Sequence, residues 1–330
     1  MRIVIPTAGF GTRLRPHTWS KPKPMVSVAG KPVLGHVLDL FKDLPQIDEL
    51  VFIIGYLGEQ IEAYVSQAYP NLPARYVVQE EMLGQSHAIW LARQGLSGPM
   101  LMVFVDTLIE TDLSGLPQEP AEAVAWVKPV EDPRRFGVAD VGPDGWVTRL
   151  VEKPQDVSNN LAVVGFYYFN AAERLLAAIE QQIESGDQLK GEWYLADAIN
   201  LMLQSGLRMR AETVEVWKDC GKPDALLDTN RYLLDNGRDN GAEFSSGDID
   251  IVAPVYIDPS ATVRDSTIGP YASIGADCVI EDSRISNSII DRGTRLENAD
   301  VLDSVVGRDA LVRGGPVRLN VGDESQVELG

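Results

Sequence analysis

Residues 6 to 25 read PTAGFGTRLRPHTWSKPKPM, a stretch with five basic side chains, two glycines and no acid. The first acidic residue of the chain is Asp39, whereas Arg2, Arg13, Arg15, Lys21, Lys23 and Lys31 all precede it. Gly9 and Gly11 let backbone N–H groups approach an anion closely, and the arginines and lysines can neutralise it. The chemistry this composition suits is phosphate binding. A plain strand-to-loop turn would explain the glycines but not the basic side chains. A dinucleotide fingerprint would need a third glycine where Leu14 stands.

The elements that must hold this loop are legible around it. Aliphatic runs RIVIPT, ELVFIIG, ARYVVQ and MLMVFVD alternate with helix-like stretches such as KPVLGHVLDLFKDL and EQIEAYVSQAY. That alternation predicts an α/β fold, a Rossmann-like and mostly parallel sheet with helices on both faces. The basic loop follows the first strand at its carboxyl end, where open α/β sheets bind ligands. Strands at AVAWVKPV, GWVTRLVEK and LAVVGFYYFN, then helices at AAERLLAAIEQQIESG and YLADAINLMLQSG, extend this domain over residues 1–230.

Residues 231–247 lose hydrophobic periodicity and gather Gly, Asn, Asp and Ser, the composition of a linker. Over residues 248–330 one aliphatic residue returns every five or six positions, from Ile251, Ile257, Val263 and Ile268 onward to Val312. One inward residue per side is the pattern of a hexapeptide-repeat β-helix, with an irregular β-sandwich as the alternative.

A formal charge of -19 argues against nucleic acid or an anionic membrane as a partner, because the mean field repels polyanions. Only two cysteines, Cys220 and Cys278, and no apolar run long enough to span a bilayer make the cytoplasm the expected compartment. Flat, stackable faces and open coil ends on a β-helix predict a homo-oligomer.

The stretch AGFGTRLRPHTWSKPKPM resembles the signature loop of the sugar-phosphate nucleotidyltransferases, whose pattern is close to GGxGTRLxPxTxxxPKPxxP. Gly11, Thr12, Arg13, Leu14, Pro16, Thr18, Pro22, Lys23 and Pro24 match it. Ala8-Gly9-Phe10 and Ser27 depart from it. The resemblance spans nearly the whole chain, since several long members append a left-handed β-helix to the catalytic domain.

What it implies is attack by a sugar 1-phosphate on the α-phosphate of a nucleoside triphosphate, with release of pyrophosphate. Arg13 and Lys23 would then be catalytic, and Ala8, Gly9, Gly11 and Thr12 would bind the nucleotide. In LMVFVDTLIE, Asp106 matches the metal-binding aspartate, with Val105 where glycine is usual. In VEVWKDCGKPDAL, Asp219 matches the second, and Mg2+ is the implied ion. The glutamate-lysine-proline motif assigns Glu152 and Lys153 to the sugar phosphate, with Gly137 of RRFGVAD and Gly165 of AVVGFYYF beside them. Either glycine would equally serve a bulge.

VVQEEMLGQSHAIWLA matches the base-binding segment only in part, through Gln79, Gly84 and Gln85. A side-chain amide suits the imide edge of thymine or uracil and also serves guanine or adenine. The expected substrates are glucose 1-phosphate with dTTP or UTP. A mannose-1-phosphate guanylyltransferase-like enzyme and a non-catalytic, nucleotide-sugar-binding regulatory subunit are the alternatives. His17, His36 and His87 read as structural, and the lack of any later histidine argues against β-helix acyltransferase chemistry.

Overall fold

The computed structural model describes residues 1–42, 44, 46–244 and 248–329. Its contacts divide the chain into two units, Met1–Gly9 with Val37–Trp217 and Phe10–His36 with Lys218–Gly330. The basic loop therefore groups with the C-terminal coils, not with the sheet from which it emerges.

The first unit is built on a nine-stranded sheet. Strand Arg2–Pro6 lies between Glu49–Ile54 and Met100–Val103 and is parallel to both, with Ala74–Val78 outside Glu49–Ile54. Ile3, Val4 and Ile5 are fully buried, which is why these central strands read as unbroken aliphatic runs. Val4, Val51, Ile53, Met100 and Met102 meet Ile89, Leu175, Ile179, Leu195 and Ile199 from helices Gln85–Leu91, Ala172–Ser185 and Leu195–Gln204 in one core.

The sheet is mixed, whereas the alternating runs led us to expect mostly parallel pairing. Leu161–Phe169 runs antiparallel to Met100–Val103, to Ala123–Pro129 and to Gly137–Val141, and Val147–Glu152 closes that edge. The strands between residues 123 and 169 follow one another with no helix between them. Without a crossover, successive strands pair by folding back.

In the second unit three five-stranded parallel sheets wind together, the three-sided coil expected of a left-handed β-helix. Ile251, Ile268, Ile285, Val301 and Val317 form one column, each 16 or 17 residues from the next. Ile257, Ile274, Ile290, Val306 and Val321 form the second, and Val263, Ile280, Leu296, Val312 and Val327 the third. The period of five or six is thus one side of a triangular coil, and its aliphatic residues are the core.

Corners demand a left-handed backbone. Asp265, Asp282, Asn298 and Gly314 supply it at one corner, and Asp277, Gly293, Asp309 and Glu324 at another. Asn and Asp tolerate this conformation better than most residues, so coil geometry itself recruits acids. Buried serines bond the layers beside the corners: Ser266 Oγ accepts from the Ser283 N–H at 3.0 Å, and Ser283 Oγ from that of Ala299 at 3.1 Å.

Within the expected linker, helix Pro223–Leu233 runs on into a π-helical turn, Leu234–Arg238, and a 3-10 turn, Gly241–Phe244. Its last three residues, 245–247, lie outside the described residues. No helix among the described residues is long and apolar enough to cross a membrane.

Ile280 is fully buried in the coil, so Ile280→Ala should cost about 2–5 kcal/mol in urea unfolding of the full chain. A loss below about 1 kcal/mol would contradict a close-packed coil interior.

Candidate active site

The residues singled out in the sequence fall into two groups, one in each unit, and each is described within its own. In the second unit Gly11 takes φ 61°, and a Cβ there would lie 2.9 Å from Lys23 Cβ and 3.1 Å from Thr18 Cγ2. Thr18 Oγ1 donates to the Gly11 carbonyl at 2.9 Å. Glycine at 11 therefore meets two demands at once: a left-handed turn, and room for Lys23 against the Thr12–Leu14 turn.

Arg13 and Asp219 come together at Gly221. A Cβ on Gly221 would stand 2.8 Å from Asp219 Oδ1 and 3.3 Å from Arg13 Nη2. The Gly221 N–H donates to Asp219 Oδ1 at 2.7 Å and so sets the carboxylate's direction. Cys220 is buried beside it, within hydrogen-bonding range of Thr229 Oγ1, in keeping with a packing role.

Two of the basic residues that suggested a phosphate have other partners. Lys21 is buried and ion-paired with Asp291 and, at 3.4 Å, with Asp323. The Arg15 guanidinium lies over the Trp19 ring at 3.8 Å. Lys21 is thus structural, and the loop's positive character toward a ligand rests on fewer side chains than its composition implied. His17 is likewise structural, its Nε2 2.7 Å from Asn320 Oδ1.

In the first unit Ala8 is buried and Gly9 exposed just beyond the end of strand Arg2–Pro6. Gly55 fits against Ala8, for a Cβ there would lie 2.7 Å from the Ala8 carbonyl oxygen. Asp106 is half-buried between strands Met100–Val103 and Thr107–Ile109. Next to it Thr107 Oγ1 accepts from Trp217 Nε1, and Trp217 packs edge-on to Phe136 with ring centroids 4.9 Å apart.

Glu152, Lys153 and Gly137 do meet. Lys153, at φ 47°, places Nζ 3.2 Å from Glu152 Oε1, and a Cβ on Gly137 would lie 3.2 Å from Glu152 Oε2. Tyr194 joins them, its hydroxyl 3.4 Å from Lys153 Nζ and its ring centroid 4.8 Å away. Burial disfavours the Lys153 charge, yet Glu152 and Tyr194 outweigh it and raise its pKa. Gly165, at φ 86°, sits in a bulge between Val163 and Tyr167, where a Cβ would come within 3.1 Å of the Phe104 ring.

Gln79, Gly84 and Gln85 form a cluster whose amides already serve the protein. The buried Gln79 places Nε2 3.2 Å from the Gly84 carbonyl oxygen and 3.3 Å from His87 Nδ1. Gln85 Oε1 accepts from the Leu195 N–H at 3.3 Å. Gly84 lies so close to Trp193 that a Cβ would stand 2.5 Å from its carbonyl oxygen. These bonds hold the Gly84 turn against residues 193–195.

Sequence reasoning missed Trp193, Tyr194 and Asn200. The paired aromatics immediately before a helix were the available signal. Asn200 had none: its amide bonds both the N–H and the carbonyl of Leu150 at 2.8 Å, bracing the strand that ends at Glu152.

Residues 3–236 match the model of the Nucleotidyl transferase family. A glucose-1-phosphate thymidylyltransferase of Streptomyces griseus is 29% identical, the alignment covering 100% of this chain and 99% of that protein. A low-salt glycan biosynthesis nucleotidyltransferase of Haloferax volcanii is 31% identical, with 100% of both chains covered. Among solved structures, a UDP-glucose pyrophosphorylase complexed with UDP-glucose superposes with a TM-score of 0.63 at 21% identity, over 71% of this chain and 98% of that one. That likeness speaks to the fold.

Burial, against the Asn320 hydrogen bond, lowers the pKa of His17, and burial also lowers that of His87. The unfolded chain takes up these protons first, below about pH 6.5, so stability is present above that pH and is lost on acidification. The melting temperature should therefore fall as pH drops from about 6.5, and His17→Gln should flatten that slope. An identical slope in the variant would remove His17 from the acid response.

Proposed function

This chain belongs to the nucleotidyl transferase family, and we propose that it joins glucose 1-phosphate to dTTP or UTP, giving a nucleoside-diphosphate sugar and pyrophosphate. The observation that carries this reading is the meeting of Arg13 and Asp219 at Gly221, with Lys23 seated against Gly11 in the same unit.

A sugar-phosphate oxygen forms a bond to the α-phosphorus, and the bond from that phosphorus to the bridging oxygen breaks. Both nucleophile and leaving group are already anionic, so no general base is required and catalysis is positioning and charge neutralisation. The Arg13 fork suits paired oxygens of the departing pyrophosphate, and Lys23 acts as a point charge on the reacting phosphates. Glu152 accepts hydrogen bonds from sugar hydroxyls while Lys153 takes the sugar phosphate. Tyr194 holds Lys153 in place for it.

Among the described residues no three metal-ligating side chains cluster. Asp106 in the first unit and Asp219 in the second each offer hard oxygen donors, and either suits Mg2+, which keeps several waters and needs only one or two carboxylates. A bound Mg2+ would supply further charge compensation on the phosphates. We place the enzyme in the cytoplasm, in keeping with a chain of only two cysteines, and as a homo-oligomer, on the flat sheets of the coil.

Pyrophosphate release should appear with glucose 1-phosphate, Mg2+ and one of dTTP or UTP. GTP with mannose 1-phosphate as the active pair would move the chain to the guanylyltransferases, and silence with dTTP, UTP, GTP, ATP and CTP, and with other sugar phosphates, would favour a regulatory subunit. Arg13→Ala should lower kcat at least about a hundredfold, and near-normal turnover would remove Arg13 from the mechanism. Asp106→Asn should raise the Mg2+ concentration needed for half-maximal rate, and an unchanged titration would reassign that ligand.

A further inference from the structure

Segment Phe10–His36 is fastened along one side of the β-helix. That side carries the strands Tyr256–Ile257, Ser273–Ile274, Ile289–Ile290, Val305–Val306 and Asn320–Val321. At its first coils, the Tyr256 ring fills the space a Cβ on Gly30 would need. Asn230 Oδ1 accepts from both the Ala29 N–H at 2.9 Å and Ser273 Oγ at 2.6 Å.

Further along, Asp291 takes the Lys21 ammonium. Arg308 Nη2 donates to the Ser20 carbonyl at 3.0 Å, and its Nε to Asp323 at 2.9 Å. Asp323 also accepts from Ser20 Oγ. Asn320 bonds His17, and Gly322 is bare where a Cβ would come within 2.9 Å of Pro16. His17, Ser20 and Lys21 all fall between Arg13 and Lys23. The anchored stretch is therefore bracketed by the two groups assigned to the triphosphate.

We propose that this side of the β-helix is a positioning element for nucleotidyl transfer, with Asn320, Asp323 and Lys21 as positioning residues that fix where Arg13 and Lys23 stand. The inference rests on the functional reading above, in which those two side chains contact the triphosphate. A loop with two long basic side chains and a free backbone would spread their charge over many placements. Contacts from successive coils remove that freedom before substrate arrives.

Lys21→Met would strand two carboxylates and endanger the fold, so the test uses full-length Ser20→Ala and Asn320→Ala, singly and combined. The combined variant should lower kcat/KM for the nucleoside triphosphate at least about tenfold, the scale of one lost charge-assisted hydrogen bond. KM for the sugar 1-phosphate, assigned to Glu152 and Lys153, should change by less than about twofold. Amide hydrogen exchange over residues 10–25 should quicken. His17→Gln, which keeps a donor for Asn320, should restore most of the loss seen in His17→Ala.

Unchanged nucleotide kinetics and unchanged exchange in the variants, with an active wild type, would overturn the positioning role alone. Equal loss toward both substrates together with a lower melting temperature would overturn it too, leaving a merely structural contact. A wild type inactive with every nucleotide would fail the functional reading, and the inference with it.

Discussion

An ammonium group taken out of water must be neutralised where it lies. Lys21 is nearly inaccessible, its side chain 4% exposed, and Asp291 and Asp323 flank its Nζ. Removing either carboxylate would leave a buried charge under-compensated, a costly state that unfolding would relieve. Asp323 responds in kind. Its burial raises its pKa, but Ser20, Lys21 and Arg308 outweigh that and hold it below the usual carboxylate range. The ion group thereby fixes a loop near the start of the chain to the coils at its end, and the other contacts of Phe10–His36 follow from that registration.

The same constraint resolves the contrast between an acidic chain and its basic opening. Much of the acid excess has local work in the coil. Asp265, Asp277, Asp282, Asp303 and Asp309 occupy left-handed corners, and Glu281, Glu297 and Glu328 answer Arg264, Arg295 and Arg313 in a ladder on one face. Such acids report backbone geometry and surface pairing, not a taste for cationic ligands. Net charge limits the partners met at long range, while the contacts around Arg13 are set locally.

Periodicity carried the coil almost completely: each aliphatic position named from spacing stands in one of three columns. Alternating strands and helices likewise revealed the parallel core around Arg2–Pro6. The antiparallel edge was harder to see, because strand order is decided by connections and not by the composition of any strand. Of the residues proposed to act, Gly11, Arg13, Lys23 and Asp219 were singled out in the sequence because backbone conformation and fixed charge restrict residue type. Tyr194 and Asn200 were not, for they act through distant partners, Lys153 and Leu150. Lys21 was misjudged for a related reason: a lysine that meets a ligand and one that meets an aspartate 270 positions later look alike in sequence.

The central claim is that a sugar phosphate attacks the α-phosphorus and that pyrophosphate departs, and labelled nucleotide tests it most directly. With glucose 1-phosphate and the preferred triphosphate, label at the α-phosphorus should appear in the nucleotide sugar, and label at the γ-phosphorus wholly in pyrophosphate. Transfer of γ-label to the sugar, or its release as orthophosphate, would contradict the account, because it would place the reacting phosphorus at the far end of the triphosphate from the bond proposed to break.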